Sequence, residues 1–146
     1  MRYVHLLAAA GLWFAAQAAP LSAKDGWLAD TELNAAFAAK TVDGHYHNGE
    51  KFTETYKAGG QVYYADERRE SGGHWSVENG TFCTIYDDDP AGGCFRVKQS
   101  GSNCYEFYFV ARTEEEASKG QTKSPDWVAQ AWLQDKPSTC AAGENV

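Results

Sequence analysis

Through most of residues 42–112 apolar and polar positions alternate with the period of two that marks a half-buried strand. The alternating runs are cut by turn signals at Asn48-Gly49, Gly59-Gly60, Ser71-Gly72-Gly73, Asn79-Gly80, Asp89-Pro90 and Gly101-Ser102. These pairs supply the left-handed or fixed-φ residues that tight hairpins need. The pattern predicts strands near 42–47, 51–57, 61–67, 74–78, 81–86, 93–99 and 104–112. Connections this short join antiparallel neighbours, because a parallel pair needs a crossover of about a dozen residues. The chain is therefore expected to be mainly β, an antiparallel meander of about seven to eight strands that closes into a barrel or a curled sheet.

The flanks change period. Leu33, Ala36 and Phe37 recur at helical spacing, with Asp30 or Thr31 placed to cap free backbone N–H groups, and predict a short N-terminal helix ending near Lys40. Ser124-Pro125 reads as a helix N-cap and first position, with Trp127 and Ala131 on one face, and predicts a short C-terminal helix over about 125–134. Glu114-Glu115-Glu116 and Lys119-Gly120 read as a solvated connection before it.

Register follows from the turns. A turn at Asn79-Gly80 sets Val77 opposite Phe82 and Trp75 opposite Thr84. A turn at Asp88-Asp89 sets Phe82 opposite Phe95 and Cys83 opposite Cys94. A turn near Gly101 sets Val97 opposite Tyr105 and Phe95 opposite Phe107. All three agree on one apolar face holding Trp75, Val77, Phe82, Phe95, Val97, Tyr105, Phe107 and Phe109, which a one-residue slip would turn outward. The other face collects His74, Cys83, Cys94, Arg96, Cys104 and Glu106, with Arg96 and Glu106 as a cross-strand pair.

The four cysteines follow the same register. Cys83 and Cys94 sit opposite one another within disulfide reach. By elimination Cys104 bonds Cys140, tying the C-terminal segment across the outside of the sheet. No two cysteines have the close spacing of a zinc site.

The first 18 residues divide like a secretory signal: Arg2, then an apolar run from about Val4 to Ala16, then Ala16-Gln17-Ala18 as the cleavage motif. Cleavage is expected at about 18/19, with 23/24 as the other site, leaving 24–146 as a single disulfide-bonded β domain. The apolar run is shorter than the ~18–20 residues a membrane helix needs. Paired cysteines and an export signal together predict a periplasmic or secreted protein.

Composition narrows the function classes. Lys and Arg number 13 against 20 Asp and Glu, a net charge of −7, which excludes a basic nucleic-acid binder. Losing Arg2 with the signal makes it −8. Aromatic residues are 14% of the chain, which excludes disorder.

Few residues carry recognisable chemistry. His45 and His47 project from one face of a strand, with Glu50 placed across the Asn48-Gly49 turn from His47. Two imidazoles and a carboxylate suit zinc or copper, and are equally the polar end of a hairpin. His74 is either a third imidazole or a single outward histidine beside the disulfide. Asp87, Asp88 and Asp89, followed by Pro90-Ala91-Gly92-Gly93, form either a calcium-binding cluster or an acidic hairpin tip, and a loop able to enter a partner's cleft. Glu54 and Glu106 lie in aromatic strands, where a cross-strand salt bridge is the expected role. There is no G-x-S-x-G nucleophile motif and no Gly-rich phosphate loop, so no catalytic residue and no cofactor are implied. The stripe of Trp75, Phe82, Phe95, Tyr105, Phe107 and Phe109 is either a filled core or the lining of a cavity. Tyr46, Tyr56, Tyr63, Tyr64 and Tyr86 add phenols that orient a ligand in the second case.

Gly44-His45-Tyr46, Gly73-His74-Trp75, Phe82-Cys83, Cys94-Phe95-Arg96-Val97 and Cys104-Tyr105-Glu106-Phe107 form the pattern G-x-Y, G-x-W, C, C-x-x-V. Over about residues 42–110 this resembles a group of small exported proteobacterial proteins of unknown function. The resemblance implies a lipocalin-like antiparallel barrel or sheet and export, and carries no catalytic residues. The combined expectation is a non-enzymatic binding or interaction module, monomeric, with a small ligand or an exported protein as partner. The alternatives are an acidic inhibitor of a basic exported enzyme such as a lysozyme, or a small metal-dependent enzyme using His45 and His47.

Overall fold

A computed structural model describes residues 26–88, 92–120 and 124–141. The expected signal segment and cleavage site, and Asp89 of the acidic loop, lie outside them. Eight strands follow one another in antiparallel order: β1 Lys40–Tyr46, β2 Lys51–Tyr56, β3 Gln61–Asp66, β4 Glu70–Glu78, β5 Thr81–Tyr86, β6 Gly93–Gly101, β7 Cys104–Ala111 and β8 Ala129–Leu133. Strand β8 pairs with both β7 and β1, which closes the sheet into an up-and-down barrel. Helix α1 (Asp30–Phe37) precedes β1, and a short helix α2 (Glu114–Ser118) lies between β7 and β8.

Helix α1 plugs one end of the barrel, called here the lower end. Leu33 and Phe37 are fully buried. The Phe37 ring lies 4.9 Å from Phe82, 5.0 Å from Tyr105 and 5.7 Å from both Tyr56 and Phe107. The helix starts one residue earlier than expected, with Ala29 at the N-cap and the Glu32 carboxylate accepting the Ala29 N–H at 2.8 Å. Asp30 does not cap its own helix. Its carboxylate accepts the backbone N–H groups of Asn79 and Gly80, pinning α1 to the β4–β5 turn. The helix stops at Phe37 because Ala39 turns left-handed (φ 59°), and Lys40 opens β1 rather than closing α1.

The β4–β5 and β5–β6 registers are those expected: Val77 faces Phe82, Trp75 faces Thr84, Phe82 faces Phe95 and Cys83 faces Cys94. The β6–β7 hairpin is displaced by two residues. Val97 faces Phe107 and Phe95 faces Phe109, because the chain turns at Ser102-Asn103, with Gly101 opposite Cys104, and the irregularity between Gln99 and Gly101 takes back one residue of the resulting shift of three. An even displacement keeps every side chain on its face, so Val97, Tyr105 and Phe107 are still buried. It does change the outer partners. Arg96 faces Tyr108 and Lys98 faces Glu106. Glu106 accepts hydrogen bonds from the Tyr108 hydroxyl and the Gln130 amide, in place of the expected pair with Arg96. The Arg96 guanidinium lies 4.9 Å from the Trp27 ring.

Residues 125–134 are not a helix. Ala129 and Ala131 alternate inward, and the β7 and β1 edges offer ladder hydrogen bonds on both sides that a helix here would leave unmade. Ser124 caps nothing helical and donates to the Asp126 carbonyl. The acidic connection carries α2, capped by Thr113, whose hydroxyl accepts the Glu116 N–H at 3.2 Å.

Both disulfides pair as expected, Cys83 with Cys94 and Cys104 with Cys140, spanning 11 and 36 residues. The second holds the chain after β8 against the lower end, beside a buried Asn103. The Asn103 side-chain amide donates to the Leu133, Lys136 and Pro137 carbonyls, and its oxygen accepts the Leu133 N–H. The longer loop predicts the larger loss. Replacing Cys104 and Cys140 together by serine will cost roughly 4 kcal/mol, against roughly 3 for Cys83 and Cys94. Paired thermal melts check the order, and equal or reversed losses would contradict it.

Candidate functional site

The upper end of the barrel, opposite α1, has no helix across it among the described residues. Strand β2 presents Phe52, Glu54 and Tyr56 inward in alternation, so a carboxyl group sits between two aromatic rings on the inner face. Glu54 is 7% exposed. One carboxyl oxygen accepts from the Tyr56 hydroxyl on its own strand, the other from the Tyr86 hydroxyl on β5. Burial pushes the Glu54 carboxyl above its ordinary value, and the two phenol donors act against that rise. The same burial, with the Glu54 carboxylate nearby, raises Tyr56 and Tyr86 well above an ordinary phenol.

Above Glu54 lies a cavity of about 50 Å³. Its wall is Tyr46, Phe52, Phe82, Phe95, Phe107, Val128 and Ala129, with Glu54, Thr84 and Tyr86 as its polar members. The wall depends on Gly44. A Cβ there would lie 2.3 Å from the tip of the Phe52 ring, so only glycine lets that ring lie across β1.

A second polar layer reaches the rim. The Tyr46 hydroxyl donates to the Tyr64 hydroxyl at 3.2 Å, and Tyr64 donates to Asp66 at 2.8 Å. Asp66 also accepts the Arg68 and Arg69 backbone N–H groups. The Arg68 N–H, first, and the Tyr64 hydroxyl hold its carboxyl below the usual range. Tyr64 is pushed up to about 12, chiefly by burial. The Arg69 guanidinium lies 4.7 Å from the Tyr64 ring and 5.7 Å from the Tyr86 ring.

The residues singled out from sequence fall on different sides of this site. Phe82, Phe95 and Phe107 line the cavity. Trp75 and Tyr105 belong to the packed lower core, where the Trp75 indole donates to the Lys57 carbonyl at 2.8 Å. Phe109 packs on Phe95 at 6.0 Å and under Arg112 at 5.0 Å, short of the cavity. Tyr46 and Tyr86 line it, Tyr56 and Tyr64 serve its hydrogen bonds, and Tyr63 is 55% exposed outside.

His45 on the outer face of β1 and His47 just past its end both meet the Trp127 ring, at 5.7 and 4.9 Å. Glu50 is not opposite His47. The turn spans His47-Asn48-Gly49, so Tyr46 faces Glu50, and the Glu50 carboxylate binds Arg68 and the Asn48 amide. His74 lies 3.6 Å from Glu114. Asp88 accepts from the Ser71 hydroxyl, and the Asp87 N–H donates to the Gly72 carbonyl. Among the described residues no three His, Cys, Asp or Glu side chains are grouped as metal ligands.

Glu54 does not make the cross-strand salt bridge expected of it. The signal was present in Phe52-Thr53-Glu54-Thr55-Tyr56, where the glutamate is in phase with two aromatics and so must point inward. A comparison with protein-family models, with curated proteins and with solved structures finds no match to this chain.

Proposed function

We propose that this protein is an exported, non-enzymatic binding module that takes a small ligand, or the head group of one, into the upper end of its barrel. The observation that carries this reading is Glu54, a carboxyl group buried in the wall of a mainly aromatic cavity. Its two hydrogen-bond donors are neutral phenols, which leave the charge of a buried carboxylate without a positive partner, so its retention there points to an occupant. The cavity is far smaller than the ~300–1,000 Å³ of a drug-sized pocket, which limits the occupant to a few heavy atoms. The hydroxyls around it are hydrogen-bonded to Glu54 or to one another, an arrangement suited to orienting a bound group.

Two disulfides place the protein in a non-reducing compartment. No helix among the described residues is long and apolar enough to cross a membrane. Periplasmic or secreted localisation is the reading that joins these facts to the apolar segment at residues 4–16. Every strand has two neighbours in the closed sheet, which supports reading the module as a monomer.

Mass spectra of the protein purified from an oxidising compartment, native and then denatured, test the reading. The expected result is a small added mass that denaturation releases. A bare oxidised monomer, which also leaves a fragment library unbound in ligand-observed NMR, would overturn it.

A further inference from the structure

Resting on that reading, we propose that the cavity takes the head group of a primary alkylammonium, its N–H donors received by the Glu54 carboxylate and the neighbouring Thr84 hydroxyl. An ionised carboxylate has about four acceptor positions. The Tyr56 and Tyr86 hydroxyls fill one on each oxygen, leaving about two. A primary ammonium brings three donors and no acceptor, so two meet Glu54 and the third meets a hydroxyl lining the same cavity.

Charge points the same way. The two groups that donate to Glu54 are neutral phenols, and a buried carboxylate is best compensated by a positive charge beside it. Phe52, Phe82, Phe95 and Phe107 line the cavity, and an aromatic lining is one that attracts a cation. Size selects among cations. A cavity of about 50 Å³ suits a small primary ammonium head and not the bulkier quaternary ammonium. The lining ends at Tyr46 and Val128, half-buried at the upper rim, where an alkyl tail would leave. The chain's net charge of −7 favours the approach of a cation.

The groups that face Glu54 set how binding varies with pH. They are Tyr56 on its own strand, Tyr86 on β5 and Tyr46 on β1, with Tyr64 and Asp66 on β3 and Arg69 beyond them. All the tyrosines are raised and stay neutral, so Glu54 is the group that titrates in the cavity. An alkylammonium, like lysine, stays charged to about pH 10. Binding therefore tightens as pH rises and Glu54 loses its proton.

The test titrates butylammonium, 1-butanol and tetramethylammonium into the full oxidised protein, read by amide shifts of Glu54, Thr84 and Tyr86. Butylammonium is expected to bind at least about tenfold tighter than 1-butanol at pH ~8, and to lose that preference in Glu54→Gln and at acid pH. Tetramethylammonium is expected not to compete. Equal binding of 1-butanol would overturn the ammonium assignment while leaving a ligand cavity in place. Equal binding of tetramethylammonium would overturn the primary head group alone. If none of the three shifts these amides, and the protein also carries no released mass, both this assignment and the binding reading fail. The wild-type comparison of amine with alcohol holds whether or not the variant folds.

Discussion

Truncating Phe37 to alanine will cost about 3–5 kcal/mol, a large share of the ~5–15 kcal/mol that holds a domain of this kind together. Helix α1 has 8 residues, too few to be stable in isolation, so it persists only because it is bolted into the lower mouth. Phe37 is the bolt, with four aromatic rings from β2, β5 and β7 packed around it. The closed hydrogen-bond ladder prevents the strands from drawing in to fill the space. The loss should therefore fall at the upper end of the range for aromatic truncations. Urea denaturation checks it, with the midpoint falling and the slope unchanged. Phe37→Leu should recover most of the loss. A cost under about 1 kcal/mol for the alanine would mean that α1 does not seal the barrel.

What was legible in the sequence was legible because a strand's period is two and its turns are short. The turns at Asn79-Gly80 and Asp88-Asp89 set the β4–β5–β6 register to the residue, and with it the Cys83–Cys94 pair. Near Gly101 neither the turn at Ser102-Asn103 nor the irregular residue before it is visible in the pattern, and together they displace the β6–β7 pairing by two, exchanging Arg96 for Lys98 opposite Glu106. Residues 125–134 misled because Ser-Pro-Asp and two alanines have helical propensity. The need of β1 and β7 for a neighbour is a tertiary fact that outweighs it. The candidate site was half legible. Its aromatic wall and phenols follow from alternation, whereas a glutamate in an aromatic strand reads as half of a cross-strand salt bridge, since charged residues usually lie outside. In the His45–His47–Glu50 set one residue of turn length decides the place of Glu50, which faces Tyr46 instead of His47 and lies within reach of Arg68.

Glu54 gives the second large effect, and its sign is opposite to that of most carboxylates. Burial raises its pKa in the folded state from an ordinary 4.5, so the folded chain holds this proton more tightly than the unfolded chain. The stability it confers is present below about pH 4.5 and is lost as pH rises from there to the folded pKa. Asp66 runs the other way. Its pKa is lowered from 3.8, and its contribution is lost as pH falls through the folded value. The empty barrel should therefore be most stable near pH 4–4.5 as far as these two groups decide it, and weaken toward neutrality. Glu54→Gln removes the charge, keeps one acceptor for a phenol and offers its amide hydrogens to the other phenol oxygen. At pH ~7 the variant should be more stable than wild type by about 1–3 kcal/mol, or roughly 5 °C or more in Tm. Below about pH 4.5 the two should converge. Melting curves of both proteins across that range isolate Glu54, since every other carboxylate cancels in the difference. A variant less stable than wild type at neutral pH would mean that the ionised carboxylate is already compensated inside the empty barrel, and the case for an occupant would go with it.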